Sequence, residues 1–259
     1  MQNQFTRTEM LFGTPAMETL KNAHVAVFGV GGVGSYAVEV LARSGIGELT
    51  LIDSDEVSIS NINRQLVAML STIGRKKVDV AREHIHDINP GCIVHTYPMF
   101  YLPENADKID LSAYHYVVDC IDTMVAKIEL IKRCHNLNVP IIASMGAANK
   151  IDPTLFKVSD IYKTQMDPLA KVIRKKLKEL DIKHLKVVYS EEQPLKPIEI
   201  SETADMSGID TSEPSTTTPK RITPASNAFV PATAGLIIGG EVVKDIIKKA
   251  GVLREASAT

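Results

Sequence analysis

A glycine-rich turn between an apolar segment and a helical pattern constrains the fold of this sequence more than any other feature. The apolar segment is HVAVF at 24–28, and the helical pattern is SYAVEVLARSG, which ends near Gly45. The turn between them follows G-x-G-x-x-G and contains Gly29, Gly31, Gly32 and Gly34. A second apolar segment, LTLID at 49–53, follows the helix. Strand, turn, helix and strand in this order predict a βαβ unit, in which glycine permits the tight turn.

The same alternation continues beyond this first unit. Helical patterns cover 76–89 and 126–137, and strand patterns cover 92–97, 116–120 and 140–144. Alternating strands and helices are typical of an α/β fold, because each helix returns the chain across the sheet. We therefore predict a doubly wound, Rossmann-like and mostly parallel sheet.

The pattern changes near residue 150. We divide the chain into a core domain at 1–150 and a smaller C-terminal α+β extension at 151–259. The extension is predicted to contain a basic helical stretch within 160–180, a strand at 186–190, a mobile loop at 194–224 and a final helix starting near Thr233. The loop prediction depends on composition, since Pro, Ser, Thr and acidic residues dominate that segment.

Composition and charge exclude several classes of protein. The chain has 259 residues and a net charge of −2, so any nucleic-acid binding must come from a local basic patch. We expect no membrane span and no signal peptide, because the apolar runs are short and the N-terminus is polar. The three cysteines form no C-x-x-C pair, which excludes a four-cysteine zinc site. We expect a cytoplasmic protein that contains no zinc.

The glycine turn and the acidic residue after the second strand predict a nucleotide site. Amides of the turn and the N-terminus of the helix favour phosphate, and Asp53 is placed to accept hydrogen bonds from a ribose. The alternative is a tight strand–helix turn that binds nothing. This fingerprint alone does not separate ATP from NAD or FAD.

The residues that follow Asp53 distinguish an ATP site from an NAD or FAD site. The run DSDEVSISNINRQ at 53–65 resembles the D-x-D-x-V-x-x-S-N-x-N-R-Q element of the ubiquitin-activating superfamily of ThiF-, MoeB- and HesA-like enzymes. The resemblance implies an ATP site that uses Asp53, Asp55, Asn61, Asn63, Arg64 and Gln65. A guanidinium offers a fork of donors suited to a polyphosphate, whereas the alternative for Arg64 is a solvated surface residue.

Two further motifs extend this resemblance. In GRKKV, Lys77 resembles the superfamily lysine that neutralises ATP phosphates, with Lys76 as the alternative. In DCIDT, Asp122 matches the aspartate that handles magnesium, and Asp119 is expected to hold the loop. Mg²⁺ suits such a site because it prefers carboxylate and phosphate oxygens. The resemblance therefore implies Arg64, Lys77 and Asp122 as catalytic residues, with Asp122 as the metal ligand.

Residues beyond 145 indicate a branch of the superfamily. Resemblance to the tRNA threonylcarbamoyladenosine dehydratases is carried by GA at 146–147, KIDPT at 150–154, KTQMDPLA at 163–170, VVYSE at 187–191 and RTE at 7–9. This resemblance implies that ATP adenylates the threonine carboxylate of the modified adenosine. The substrate's own carbamoyl group then closes the ring and expels AMP. Such a route needs no enzyme nucleophile, which agrees with cysteines expected to be buried.

The resemblance also implies partners. Superfamily members pair, so we expect a homodimer in which Arg7 reaches the ATP site of the neighbouring copy. The expected substrate is tRNA, and candidates to bind its phosphates are Lys171, Arg174, Lys175 and Lys178. The alternative for these four residues is a solvated helix face. A sulfur-relay protein stays open as a further partner.

Two other functions share parts of this pattern. An activator of a ubiquitin-like sulfur carrier would use the same ATP site, but the missing zinc cysteines and the DPLA region count against it. An NAD-dependent oxidoreductase or a nucleotide-sensing module would share only the glycine turn, and the NINRQ element opposes it. The histidines show no metal-ligand spacing, and His84 and His86 do not share a helix face.

Overall fold

A seven-stranded sheet forms the centre of the computed structural model, which describes residues 2–198 and 224–254. The strands are β1 (His24–Phe28), β2 (Glu48–Ile52), β3 (Ile93–Tyr97), β4 (Tyr116–Asp119), β5 (Ile141–Ser144), β6 (Phe156–Asp160) and β7 (Lys186–Ser190). Their order across the sheet is β3-β2-β1-β4-β5-β7-β6. Every neighbouring pair is parallel except β6 and β7, so the predicted mostly parallel sheet is confirmed.

Helices cover both faces of the sheet. They are α1 (Thr6–Phe12), α2 (Thr14–Lys21), α3 (Gly34–Arg43), α4 (Lys77–Ile88), α5 (Met124–Leu137), α6 (Pro168–Glu179) and α7 (Val230–Lys249). Buried side chains of α3, α4 and α7 pack on one face, whereas those of α5 and α6 pack on the other. The fold is therefore doubly wound. Within the described residues, no helix has the length and apolar character needed to cross a membrane.

The central strands are mostly apolar because both of their sides are buried. In β1, Val25 and Val27 belong to the cluster on the α3 and α7 side, and Ala26 and Phe28 belong to the opposite cluster. Alternate side chains of a strand point to opposite faces, so a strand covered on both faces needs a continuous apolar run. This is why the pattern at 24–28 predicted a parallel strand.

Helix α7 packs closely against α3 through two glycines. A Cβ on Gly235 would lie 2.2 Å from the carbonyl oxygen of Val33, and one on Gly239 would lie 2.5 Å from Cβ of Val40. Any larger residue at these positions would force the two helices apart. The close contact keeps the N-terminal end of α7 beside the glycine turn that precedes α3.

The structure differs from the sequence predictions at several elements. Helices α1 and α2 and strand β6 were not predicted, and α7 begins at Val230 rather than near Thr233. Strands β6 and β7 continue the same sheet beyond residue 150, and α7 packs on α3. Most of the predicted mobile loop, 199–223, lies outside the described residues.

Candidate functional site

The candidate site lies at the carboxyl ends of β1, β2 and β4, which are neighbours in the sheet. The chain leaves β1 into the glycine turn, β2 into Asp53, and β4 into the turn at 120–123. From β1 the chain continues to β2 and β3 on one side, whereas β4 and β5 lie on the other side. Such a switch point opens a crevice above the strand ends, where open α/β sheets bind ligands.

Close backbone packing explains the glycines at 29 and 34. Gly29 has a φ of 87°, in the left-handed region that favours glycine. A Cβ on Gly29 would lie 2.6 Å from the carbonyl oxygen of Cys120, and one on Gly34 would lie 1.8 Å from that of Gly29. The turn is therefore pressed against the loop after β4. Because α3 begins at Gly34, its N-terminus faces the crevice, as phosphate binding requires.

The Asp53 carboxylate joins the glycine turn to the end of β2. Its Oδ2 accepts a hydrogen bond from the Val30 amide at 2.7 Å, and its Oδ1 accepts one from the Asp55 amide at 2.8 Å. Burial raises the pKa of Asp53, while Lys77 and these two amides act in the opposite direction. The carboxylate thus holds two loops of the site together. Its contact with a ribose stays a prediction.

Lys77, rather than Lys76, is directed into the site. Lys77 is 4% exposed, and its Nζ lies 2.7 Å from Oδ2 of Asp55. Lys76 instead pairs with Glu56 near the surface, at 3.1 Å. The structure therefore separates two lysines that the sequence alone left as alternatives.

Arg64 lies beside the glycine turn. The position of a Cβ on Gly32 would be 3.5 Å from Cγ of Arg64. The Arg64 NH1 group donates to the carbonyl oxygen of Ser60 at 2.8 Å and to Oδ1 of Asn63 at 2.9 Å. In turn, Nδ2 of Asn63 donates to the carbonyl oxygen of Ser226 at 3.1 Å. Asn63 therefore orients the arginine and ties its loop to the segment that enters α7.

Asn61 and Gln65 have different roles in the same loop. Oδ1 of Asn61 accepts a hydrogen bond from the Ser58 amide at 3.1 Å, so this side chain shapes the loop. Gln65 is 7% exposed, and its Oε1 has no hydrogen-bond partner among the described residues. Its Nε2 lies 3.8 Å from the position of a Cβ on Gly31. A buried amide oxygen without a donor is costly, so a ligand or water is expected to supply one.

A buried ion pair anchors the turn after β4. Nζ of Lys127 lies 2.7 Å from Oδ2 of Asp119, and these side chains are 1% and 0% exposed. Lys127 also donates to the carbonyl oxygen of Ser144 at 3.1 Å, and Oδ1 of Asp119 accepts from the Ile121 amide at 3.1 Å. These contacts agree with the loop-holding role predicted for Asp119. The Asp122 side chain is exposed in the same turn, and its role as a metal ligand stays a prediction.

Sequence reasoning missed Lys127, although a signal was present. In α5 the lysine falls among the buried positions Ala126, Leu130, Ile131 and Cys134. A lysine on an apolar helix face needs a buried carboxylate as partner, because an unpaired charge there is strongly unfavourable. The aspartate that ends β4 is the residue that satisfies this requirement.

The cysteines are not activated as nucleophiles. Burial raises the pKa of Cys92, Cys120 and Cys134 to about 12 in each case. Their thiols therefore stay protonated at neutral pH, and the thiolate is the reactive form. This agrees with the expectation that no cysteine takes part covalently.

A second buried pair lies where the extension meets the core. Lys150 Nζ donates to the carbonyl oxygen of Gly146 at 2.5 Å and lies 3.4 Å from Oδ2 of Asp167. Oδ1 of Asp167 also accepts from the Ala170 amide and thereby caps α6. Asn227 donates to the carbonyl oxygen of Lys150 at 2.8 Å, which attaches the segment before α7 to the same junction. The DPLA motif thus has a structural role in this part of the fold.

Arg174 differs in exposure from the three lysines with which it was named as a candidate phosphate contact. Four basic side chains of α6 are exposed, namely Lys171, Lys175, Lys176 and Lys178, of which Lys176 pairs with Glu179. Arg174 is half-buried, and its NH1 donates to the carbonyl oxygen of Thr164 at 2.8 Å and to the Thr164 hydroxyl. Its guanidinium therefore holds the turn before α6, and the lysines form the exposed basic face without it.

Arg7 lies outside the crevice of its own chain. Its side chain is exposed on α1, and within residues 2–198 and 224–254 it makes no ion pair. The predicted contact of Arg7 is with the site of a second copy, so this prediction stays open.

Comparison with known proteins places these features in a family. The ThiF family profile matches residues 5–256. The chain is 48% identical over 255 residues to the tRNA threonylcarbamoyladenosine dehydratase of Bacillus subtilis (strain 168), covering 98% of each chain. It is 42% identical over 177 residues to the protein of the same name from Escherichia coli (strain K12), covering 68% of this chain and 66% of that one.

Solved structures agree with the sequence comparison. The E. coli TcdA structure in complex with ATP matches with a TM-score of 0.81 and 33% identity, over 96% of this chain and 95% of that one. The E. coli MccB structure with ATP matches with a TM-score of 0.63 at 20% identity, which shows a shared fold only. The chain therefore belongs to the ThiF family, in its branch of tRNA threonylcarbamoyladenosine dehydratases.

Proposed function

We propose that this protein is an ATP-dependent dehydratase that adenylates the threonine carboxylate of tRNA threonylcarbamoyladenosine and cyclises it with release of AMP. The observation that carries the proposal is the 48% identity to the B. subtilis dehydratase, which extends over 98% of both chains. The aligned region includes the nucleotide loops. It also includes the region beyond residue 150, where branches of the superfamily differ.

The crevice fits a nucleoside triphosphate. The glycine turn and the N-terminus of α3 offer amides and a favourable dipole to phosphate. Lys77 adds a buried ammonium group, and the hydrogen bonds of Arg64 within the described residues use only NH1, which leaves its Nε and NH2 donors for phosphate oxygens. The unpartnered Oε1 of Gln65 offers an acceptor in the same wall. The crevice thus combines donors for phosphate with one buried acceptor, which suits an amino or hydroxyl group of a bound nucleotide.

Asp122 is the residue that would hold Mg²⁺. Its exposed carboxylate supplies the hard oxygen ligand that this ion prefers, and its position follows β4 at the edge of the crevice. A bound Mg²⁺ would offset phosphate charge and orient the triphosphate. The Asp119–Lys127 pair fixes the turn that carries Asp122 and so determines where the carboxylate points.

The proposed reaction has two steps. An oxygen of the threonine carboxylate forms a bond to the α-phosphorus of ATP, and the bond from that phosphorus to pyrophosphate breaks. The carbamoyl group of the same nucleoside then attacks the activated carbonyl carbon, and AMP leaves with the former carboxylate oxygen. The substrate loses one water in total. Lys77 and Arg64 stabilise the charge that develops on phosphate in the first step.

The exposed lysines of α6 are the proposed phosphate contacts of the tRNA. Lys171, Lys175 and Lys178 are exposed on one helix that begins beside the Asp167 junction. Lysine contacts to phosphate bind RNA without reading its sequence, which suits a substrate identified by its modified base. A cytoplasmic location is part of the same proposal, since tRNA is available there.

A homodimer completes the proposal, with Arg7 reaching the ATP site of the second copy. Helix α1 has no buried residue within one chain. Two of its apolar side chains are largely exposed, Met10 at 75% and Leu11 at 65%. Apolar side chains of this size in adjacent positions are expected to be covered by another chain.

AMP release tests the substrate. The purified protein with ATP and Mg²⁺ should release AMP when tRNA carrying threonylcarbamoyladenosine is added. It should release almost none with unmodified tRNA or with a ubiquitin-like sulfur carrier. If AMP formation depends on the carrier protein instead, the function is activation of a sulfur carrier.

Two variants test the site. Arg64→Ala and Asp122→Ala should each lose ATP-dependent turnover and keep the circular dichroism spectrum of the wild type, because both side chains lie on polar loops. Arg43→Ala provides a control, since this arginine pairs with Glu39 on the surface of α3. Near-normal AMP release by either site variant would contradict the assignment.

A further inference from the structure

Three strands bring two histidines and a glutamate together on one face of the sheet. In the register of β1 with β2, His24 is paired with Glu48, and in that of β2 with β3, Thr50 is paired with His95. Side chains two residues apart on a strand share a face, so His24, Glu48 and His95 lie together. The cluster lies towards the amino ends of β1 and β2, whereas the nucleotide crevice lies at the carboxyl ends.

The distances in this cluster are close to those of a metal site. Oε1 of Glu48 lies 3.5 Å from Nδ1 of His24 and 2.8 Å from Nε2 of His95. One donor atom from each residue lies within 4.8 Å of the others. Metal–ligand bonds of about 2.0–2.2 Å in tetrahedral geometry separate ligand atoms by roughly 3.4 Å, between the two observed distances. Small rotations of the Glu48 and His95 side chains, which are 34% and 45% exposed, suffice to reach it.

His24 is already oriented as a metal ligand. Its Nε2 lies 2.8 Å from the Thr50 hydroxyl, and Tyr114 packs edge-on against the ring at 4.7 Å. With its proton on Nε2, the ring donates to Thr50 and directs the lone pair of Nδ1 towards Glu48. Histidines that bind metals usually donate their other ring nitrogen in this way.

This arrangement leaves two acceptors facing each other. In this tautomer the Nδ1 lone pair of His24 and the Glu48 carboxylate lie 3.5 Å apart, and the His95 ring, whose Nε2 is 2.8 Å from Glu48, can donate to that carboxylate. A cation placed among the three groups would satisfy both acceptors and would replace the proton of the His95–Glu48 hydrogen bond. Two imidazoles and one carboxylate favour Zn²⁺ or a similar first-row divalent ion over Mg²⁺, which prefers oxygen.

We propose that His24, Glu48 and His95 bind one divalent transition-metal ion, preferably Zn²⁺, at a site separate from the nucleotide crevice. The remaining coordination position is open to solvent on the His95 side. The expectation of a protein without zinc came from cysteine and histidine spacing along the chain. Spacing could not show this cluster, because strand register joins residues that are far apart in sequence.

Metal titration of the full-length protein without nucleotide tests the proposal. Co²⁺ should bind with one equivalent and give visible absorption bands, and Zn²⁺ should displace it. His95→Ala and Glu48→Gln should each weaken Co²⁺ binding by tenfold or more. Thr50→Val, which keeps the side-chain shape and removes the acceptor for His24, should weaken it about 10- to 100-fold.

Two control variants show whether Co²⁺ binds at this cluster or elsewhere on the protein. His86→Ala removes an exposed histidine of α4 and should leave the affinity unchanged. Asp122→Ala should also leave it unchanged, because the predicted magnesium ligand lies at the opposite end of the sheet. The proposal is overturned if no saturable binding occurs, if His95→Ala binds Co²⁺ like the wild type, or if Asp122→Ala abolishes binding. None of these results affects the AMP-release test of the proposed function.

Discussion

Residues around the crevice divide into those that hold loops and those that are left to meet a ligand. Asp53 and Asn63 connect neighbouring loops through hydrogen bonds, and Asp119 is bound by Lys127 and by the Ile121 amide. Within the described chain, Asp122 accepts one hydrogen bond, at 3.3 Å from the hydroxyl of the adjacent Thr123, and the Nε and NH2 donors of Arg64 have no recorded partner, so both side chains can meet a ligand. The sequence motif identified all of these residues except Lys127. It predicted a loop-holding role for Asp119 but not for Asp53 or Asn63, because a motif records residue types and not hydrogen-bond partners.

The contribution of the buried Lys127–Asp119 pair to stability can be tested by single substitutions. Lys127→Met leaves Asp119 buried without a cation, and we expect it to lower the free energy of unfolding by about 3–5 kcal/mol. Lys132→Met in the same helix removes a partly exposed lysine whose partner Glu129 also pairs with Arg133, so its effect should stay within about 0.5 kcal/mol. Urea denaturation measures both values. Equal effects of the two changes would show that the buried pair has no special role.

The pH dependence of that variant has a defined sign. Burial raises the pKa of Asp119, and Lys127 opposes the rise. Without Lys127, the pKa of Asp119 in the folded state rises further above its value in the unfolded state. Folded Asp119 therefore keeps its proton over a wider pH range. Stability is then lost as pH increases through the window between the two pKa values. Lys127→Met should therefore lose more stability than the wild type as pH rises above the ordinary pKa of a carboxyl group.

At the scale of elements, predictions succeeded where apolar patterns were strong. Strands β1, β4 and β7 have apolar runs buried on both faces, and the sequence placed all three. Helix α1 has no buried residue, so it lacks the periodic pattern on which a prediction depends. Strand β6 is an edge strand with only Phe156 buried, and its partner β7 follows much later in the chain. Elements stabilised by distant partners leave little signal in their own sequence.

The contact between α7 and α3 allows a matched pair of substitutions. Gly239→Ala places a methyl group against Val40 and should destabilise the protein by about 1–3 kcal/mol. Gly240→Ala meets no atom within 4 Å, so it should be neutral or stabilise by up to about 1 kcal/mol through helix propensity. Thermal denaturation compares the two variants. If Gly240→Ala proves the more damaging, the close packing of α7 on α3 is wrong.

Helix α6 provides the test of the RNA surface. Changing Lys171, Lys175 and Lys178 together to Glu should raise the KM for tRNA and flatten its salt dependence, while the KM for ATP stays nearly constant. Arg174→Ala is the matched control, because this side chain holds the turn before α6 and should lower stability instead. Equal tRNA affinity and salt slope for the wild type and the triple variant would show that this face is solvated surface.

The assembly of the whole molecule is tested by complementation. If Arg7 acts on the site of the other subunit, Arg7→Ala and Asp122→Ala are each inactive alone. Mixed subunits form heterodimers in which one site has both residues, so an equimolar mixture should recover about a quarter of wild-type activity. Sedimentation should show a dimer for all three proteins. A monomer that turns over substrate, or a mixture that stays inactive, would contradict the arrangement.

Mass spectrometry of the tRNA nucleosides tests the proposed ATP-dependent dehydration of threonylcarbamoyladenosine most directly. The purified protein is incubated with ATP, Mg²⁺ and tRNA that carries threonylcarbamoyladenosine, and the tRNA is then digested under mild conditions. The account predicts a nucleoside lighter than the substrate by one water, with one AMP released for each product formed, and no product with Asp122→Ala. An unchanged threonylcarbamoyladenosine signal, or AMP release without a lighter nucleoside, would contradict it.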